Sequence, residues 1–371
     1  MKSQVAIVKC SSYNFNLVEE KIRLAISFLG GIEKFVKPKS KVLLKPNLLL
    51  AIEPEKGVTT HPALIRAVIK ILKEINCDIY IGDNPSAWAG QQDLDSVYEK
   101  SGLKKLAQEL DFNLVDFTKG VWHGKYLVTR WLSECDLIVS LPKFKTHDLM
   151  ILTGAIKNMF GIIPGLNKPN LHKQHLKKDD FAKILVDVFS IKKPCLNIVD
   201  GIVGMEGDGP GTSGTLRNFG LILASSDAVS LDSVLATIMG LKPEVIPTTL
   251  EAYRRGLGQK NLEKIEIIGE SLKKCVVSDF KLPATSIIEK TPLPILKIFK
   301  NLLKFWPAVD KSKCILCGAC VKICPKQVIS IKKNVIKIDY QGCISCFCCE
   351  EACAYSAMKI KKSFFAKMLR L

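Results

Sequence analysis

Residues 42–85 read VLLKPNLLLAIEPEKGVTTHPALIRAVIKILKEINCDIYIGDNP, and this stretch decides the fold. An apolar run at 42–44 breaks into the polar turn Lys45-Pro46-Asn47. Leu64, Ile65, Val68, Ile69 and Leu72 then recur at helical spacing, and a second apolar run at 79–81 breaks into Gly82-Asp83-Asn84-Pro85. Strand, helix and strand joined by a crossover of this length make a parallel βαβ unit. The alternation continues outward. Strand-like runs lie at 5–8, 114–117, 137–140, 196–199, 221–223 and 265–268, with helical patterns at 94–110, 181–189 and 228–239. Residues 1–285 are therefore expected to form an α/β domain, a large mostly parallel sheet with helices on both faces. Ligands of such sheets bind beyond the carboxyl ends of the strands, so the polar turns there carry the functional information.

The chain has 371 residues, 47% of them hydrophobic, enough for one large domain and a small appendage. No apolar run is long enough to span a bilayer and no signal-peptide pattern opens the chain, so a cytoplasmic protein is expected. Fourteen cysteines in that setting point to metal or redox chemistry rather than a disulfide scaffold. Nine lie between Cys314 and Cys353. Cys10, Cys77, Cys135, Cys195 and Cys275 stand alone and read as small buried apolar residues.

Cys314, Cys317, Cys320 and Cys324 follow C-x2-C-x2-C-x3-C with Pro325 behind them, and Cys343, Cys346, Cys349 and Cys353 repeat the spacing with Ala354 in place of the proline. Three thiolates on a tight loop cover three corners of a cubane, while the fourth reaches the other cluster. The expected ligand sets are Cys314, Cys317, Cys320 and Cys353 for the first cluster, and Cys343, Cys346, Cys349 and Cys324 for the second. Zinc sites pair two C-x2-C units instead, so zinc is the weaker reading. Cys348 falls outside the pattern, as a bystander or a spare ligand. This region, residues 311–360, closely resembles the two-cluster bacterial ferredoxins, which implies a small α+β domain holding two 4Fe–4S clusters for one-electron transfer.

The formal net charge is +18, and from Ser286 to Leu371 16 Lys/Arg stand against 5 Asp/Glu, a net of +11. Thiolate-bound clusters would balance part of that excess. No nucleic-acid motif accompanies it, so a nucleic-acid partner is not expected. The basic amphipathic linker 286–310, where Lys297, Lys300 and Lys304 share one helical face, and the basic tail 361–371 each admit two readings. They pack on the protein, or they make peripheral contact with a membrane or partner.

In the large domain, Lys45, Asn47, Lys143, Lys145 and Lys157 follow strands or lie near strand ends, and residues 200–214 read DGIVGMEGDGPGTSG. The lysines, with backbone amides around Gly209 and Gly211, are candidates to bind a small carboxylate or phosphate. The plainer reading leaves the lysines solvated and the glycines in turns. His147, Lys143, Asp83 and Asp200 are the catalytic candidates, a histidine being suited to proton transfer near neutrality and the aspartates having capping or turn roles as their alternative. His172 and His175 make a weak metal pair. Neither a P-loop pattern nor a G-x-G-x-x-G after the first strand is present.

The KPN turn, the GD-x-P loop, LPKFKTH, GAIKNMFG, MEGDGPGTSG and S-x-D-x-V-x-x-D together resemble the iron–sulfur-centre family built on domain of unknown function 362. The resemblance implies clusters and electron transfer and supplies no substrate. The expected function is ferredoxin-type electron transfer feeding a redox reaction on an anionic small molecule in the α/β domain, as an iron–sulfur oxidoreductase served by a redox partner protein. The alternative is a non-enzymatic carrier or adaptor docking a partner oxidoreductase. Structural or oxygen-sensing clusters are a third reading.

Overall fold

The computed structural model describes residues 2–85, 94–165, 167–174, 178–285 and 305–363. The expected linker helix as far as residue 304, most of the basic tail and the His172/His175 side-chain pair lie outside the described residues; the end of that linker, Phe305–Val309, is a strand rather than a helix, held by pairing with Met358–Lys362.

The strands of the large domain are β1 (Ser3–Lys9), β2 (Lys41–Pro46), β3 (Asp78–Ile81), β4 (Asn113–Leu114), the separate hairpin β5 (Gly120–His123) and β6 (Tyr126–Thr129), then β7 (Leu137–Leu141), β8 (Lys143–His147), β9 (Ile151–Leu152), β10 (Leu196–Glu206), β11 (Thr215–Ser225) and β12 (Ile265–Gly269). Among the described residues ten of these make one sheet in the order β12-β1-β11-β10-β7-β2-β3-β4, with β8 beside β10 and β9 beside β8. Its pairings are parallel except for β11 with β1 and β10, and β8 with β9.

Successive residues of a strand point to opposite faces, and both faces here are covered. Val5, Ile7, Leu43, Ile138, Val199 and Leu223 join one core with helices Lys178–Ile191 and Ala228–Ile238. Ala6, Val8, Val42, Leu44, Ile79, Ile81 and Val139 join the other with helices Phe15–Phe28 and Pro62–Glu74. The helix starts follow from local chemistry. Pro62 opens its helix, where a missing N–H costs nothing, and the Ala63 amide donates to His61 Nδ1. Asp227 caps Ala228–Ile238 by accepting from the Val229 and Ser230 amides.

Several stretches differ from the sequence-based expectation, and the run at 114–117 is strand only at its start, Asn113–Leu114. The pattern at 94–110 is two helices, Leu94–Lys100 and Leu103–Leu110, because Gly102 takes a left-handed φ of 78° between them. KFKTH, expected as a loop, is strand β8, with its lysines buried against partners inside the protein. The run 200–214, expected as a glycine loop, is strand as far as Glu206. A Cβ on Gly204 would stand 2.6 Å from the Phe144 carbonyl oxygen, so glycine is what lets β8 lie against β10.

Residues 305–363 form the small domain. Strand β13 (Phe305–Val309) pairs with β16 (Met358–Lys362), and β14 (Ile329–Lys332) pairs with β15 (Val335–Ile338). Its two halves repeat in backbone as well as sequence. Leu316, Gly318 and Gln327 are left-handed, and so are Ser345, Phe347 and Ser356 at the same places relative to the second cysteine run. Asp310 and Asp339 accept from the Ser312 and Gln341 amides at equivalent turns. Among the described residues no helix is long and apolar enough to cross a membrane.

Candidate functional site

Strands β2 and β3 end side by side, and their last polar residues meet. Lys45 is fully buried, and its Nζ donates to Asp83 Oδ1 at 2.8 Å and to the Pro46 carbonyl at 3.0 Å. Asp83 also accepts from the Leu48 amide at 2.7 Å and the Asn84 amide at 2.8 Å. Burial pushes the Lys45 ammonium down from its ordinary pKa, and Asp83 opposes that shift. Gly161 permits the approach, since a Cβ there would fall on Asp83 Oδ1 and within 2.6 Å of Lys45 Nζ. Asn158 lies alongside, receiving Asn47 Nδ2 on its Oδ1 at 3.0 Å and donating from its own Nδ2 to Ser140 Oγ at 2.9 Å.

These residues wall a cavity of about 60 Å³. Asn47, Asp83, Asn158, Thr153, Lys157 and Lys168 line it from the large domain, and Ile323, Cys348 and Glu351 line it from the small one. Among the described residues Lys157 Nζ has no hydrogen-bond partner; burial lowers its pKa and Glu351 opposes that. Lys168 donates to the Asn84 carbonyl, and burial brings its pKa down to about 8.

The other candidates lie nearby but apart. Lys143 Nζ donates to Asp200 Oδ2 and to the Tyr13 hydroxyl, both at 2.8 Å, and Tyr13 donates to Asp200 Oδ1 at 2.7 Å. The Tyr13 ring stacks on His61 at 3.7 Å between centroids. This network is satisfied internally and does not line the cavity. Lys145 Nζ donates to the Val58 carbonyl at 2.6 Å, and burial, reinforced by Lys157, holds its pKa well down.

His147 sits at the junction of the two domains. Its Nδ1 accepts from the Leu149 and Met150 amides at 3.1 and 3.3 Å, which places the proton of the neutral ring on Nε2. Nε2 lies 2.9 Å from Glu351 Oε1, near enough for an ion pair though not aligned as a hydrogen bond. Burial lowers its pKa to about 4, so the ring is neutral at pH 7. Asp148 and Glu350 are also buried at this junction, and burial raises both carboxyls, Glu350 to about 8. Glu350 is thus largely protonated at pH 7, which limits repulsion between the two.

Gly209 and Gly211 are not in the cavity. Their loop cradles the small domain: Thr212 Oγ1 donates to the Cys353 carbonyl at 2.8 Å and accepts from the Ser356 amide at 3.1 Å, and Ser356 Oγ donates to the Thr212 carbonyl at 2.9 Å. A Cβ on Gly211 would stand 3.2 Å from the Glu350 carbonyl oxygen. Sequence reasoning grouped Lys45, Asn47, Asp83 and Lys157 with Lys143, Asp200 and the glycines; the fold brings the first four to one cavity and sets the others apart from it. It passed over Tyr13, His61, Thr153, Lys168 and Glu351. Tyr13 follows β1 as the other polar residues follow their strands, which was an available signal; Glu351 offered none.

The cysteines sort into two groups. Cys314, Cys317, Cys320 and Cys353 surround one small cavity, and Cys324, Cys343, Cys346 and Cys349 surround another. Both are lined almost wholly by apolar atoms and sulfur, and all these thiols are free of disulfides. No three His, Cys, Asp or Glu side chains among the described residues converge to hold a single metal ion, and each cysteine set lines a small cavity. Soft thiolates around such a space suit a 4Fe–4S cluster. Of the isolated cysteines, Cys10, Cys77, Cys135 and Cys275 are buried and Cys195 half-buried.

Residues 307–330 match the model of the 4Fe-4S binding domain, an iron–sulfur electron-transfer module. A thylakoid-associated protein of Synechocystis sp. is 32% identical over 290 residues, 76% of this chain and 88% of that protein. The lactate racemase apoprotein of Thermoanaerobacterium thermosaccharolyticum superposes at a TM-score of 0.40 and 14% identity, across 65% of this chain and 58% of that one. Residues 42–237, more than half of the chain, match the model of domain of unknown function 362, and the protein belongs to that family.

Proposed function

We propose that this protein is an iron–sulfur oxidoreductase that moves electrons between a partner protein and a small anion held between its two domains, through two 4Fe–4S clusters. One observation carries the reading: the turn bearing Cys346, Cys348 and Cys349 forms a wall of the lysine-containing cavity. Bound clusters would supply one-electron chemistry. The chain's own residues do the rest. Lys157 and Lys168 present positive charge to an anion, the Lys45–Asp83 pair fixes the floor, and the small domain excludes bulk water from one side. Two clusters are supported by the backbone repeat, since the second cysteine run has the same left-handed positions as the first.

The partner's docking face lies at the first cysteine loop. Ile315 is 58% exposed there, with Lys311, Lys313 and Lys322 exposed close by in sequence. An apolar contact ringed by lysines suits an acidic one-electron carrier. The thylakoid association in the relative's name accords with service to an electron-transport chain.

The test is iron and sulfide quantification on anaerobically purified protein, with electron paramagnetic resonance during reductive titration. About eight iron per chain and coupled signals are expected, and Cys343→Ser with Cys346→Ser should lose about half the iron. About four iron in the unaltered protein, untouched by the double substitution, would end the two-cluster reading. A substrate-free carrier would instead show reduced clusters that no small anion reoxidises or perturbs.

A further inference from the structure

Three residues that line the cavity, Asn47, Thr153 and Lys157, each carry a polar group left unpaired among the described residues, and together these groups describe a ligand. The first is Asn47 Oδ1, which is buried without a donor. Its orientation is forced. Asn158 faces both the Lys45 ammonium and the Lys45 carbonyl, each at 3.4 Å, so its Oδ1 must meet the ammonium and its Nδ2 the carbonyl. That fixed Oδ1 also receives Asn47 Nδ2, which leaves Asn47 Oδ1 as the free end. An amide flip at either residue would set like poles against each other. The second group is Thr153 Oγ1, in a residue only 2% exposed. The third is Lys157 Nζ, which has no hydrogen-bond partner among the described residues.

Charge narrows the ligand further. Asp83 is paired with Lys45, so the remaining ionic groups in the wall are Lys157 and Lys168 against Glu351, an excess of one positive charge before the charge of bound clusters is counted. The space of about 60 Å³ holds roughly four to six water-sized groups. We propose that this cavity binds a compact monoanionic oxyanion that also bears an O–H group, the anionic oxygens facing Lys157 and Thr153 and the O–H donating to Asn47 Oδ1. A small hydroxylated carboxylate and a protonated inorganic oxyanion share this chemistry. The assignment rests on the cavity's being the substrate site proposed above, and it adds what the substrate must look like.

The experiment is calorimetric titration of the full, cluster-loaded chain with glycolate, bicarbonate, dihydrogen phosphate and acetate at constant ionic strength. Acetate has the charge without the O–H. At least one O–H anion should bind about tenfold more tightly than acetate, the effect of one hydrogen bond to a buried acceptor. Glycolate leading would identify a carboxylate source, and bicarbonate or phosphate leading an inorganic one. Asn47→Leu should erase that preference while keeping the iron content, and Lys157→Gln should weaken every anion about tenfold. Equal binding of acetate and the O–H anions, a preference that survives Asn47→Leu, or no binding by any anion (a cavity that holds only water) would each overturn the inference. Reoxidation of the reduced protein and reduction of the oxidised protein by the bound anion are followed separately by absorbance. An intact preference with no electron exchange in either direction keeps the ligand assignment and removes the redox reading of the cavity.

Discussion

Lys45 is a charge with no access to water, and Asp83 is what makes its burial tolerable. Taking away one partner of such a pair leaves an uncompensated charge, which costs about 3–5 kcal/mol. Asp83→Asn should therefore lower urea-unfolding stability by that order, and Gly161→Ala, whose Cβ would fall on Asp83 Oδ1, should do similar damage from the other side. A smaller loss for Asp83→Asn than for an exposed pair such as Lys100–Glu53 would show that Lys45 is neutral in the native state. His61 makes a second test. Its Nδ1 must be unprotonated to accept from Ala63, and burial lowers its pKa from 6.5 to about 4. A histidine depressed in the fold contributes stability that is present above pH 6.5 and lost as pH falls toward 4, here roughly 2 kcal/mol for a half-buried ring. His61→Asn, which caps without titrating in that range, should flatten the stability profile between pH 6.5 and 4. An unchanged slope would place the acid sensitivity elsewhere.

At the scale of elements, the β10–β11 turn behaves as a docking arm. Thr212 makes two of the hydrogen bonds that seat the small domain, one as donor and one as acceptor. Thr212→Val keeps the shape and removes both, so amide exchange at Ser356 should rise about tenfold while exchange within β2 and β7 stays fixed. Equal exchange in both proteins would mean that the remaining contacts hold the domain alone. This arm also shows how far the sequence could be read. Apolar runs and helical periodicity located the core strands, including Val42–Leu44 and Ile79–Ile81, because burial on both faces demands such runs. β8 escaped the same logic: Lys143, Lys145 and His147 are polar, and only tertiary partners from β10, Val58 and Glu351 allow them to be buried in a strand. Glycines at 201 and 204 looked like a loop for a related reason, since a close backbone neighbour and a turn require the same residue. The grouping of the cysteines around two cavities, by contrast, follows their spacing, which is local, and the 29-residue offset from Cys314 to Cys343 recurs from Cys324 to Cys353.

Within the whole molecule the small domain is polarised in charge, and no local pattern could have shown it. Of the four acidic residues described in the small domain, Glu350 and Glu351 face the large domain, whereas Lys311, Lys313, Lys322, Lys326, Lys332, Lys333 and Lys337 are exposed to solvent. Acid turned inward beside the cavity and base turned outward gives the module a direction. Electrons from an acidic carrier would arrive at the first cysteine loop, beside exposed Ile315, and the second loop adjoins the cavity. Steering of this kind raises association rates at low salt and is screened away as the Debye length shrinks. Stopped-flow reduction by a small acidic one-electron carrier protein should therefore slow several-fold between about 20 and 300 mM salt. Lys311→Glu with Lys313→Glu should cut the low-salt rate about tenfold and flatten the salt dependence, while reduction by dithionite stays unchanged. If the double variant is reduced by the acidic carrier as fast as the unaltered protein, entry is not at this face, and the other exposed lysines (Lys326, Lys332 and Lys337) become the next surface to reverse.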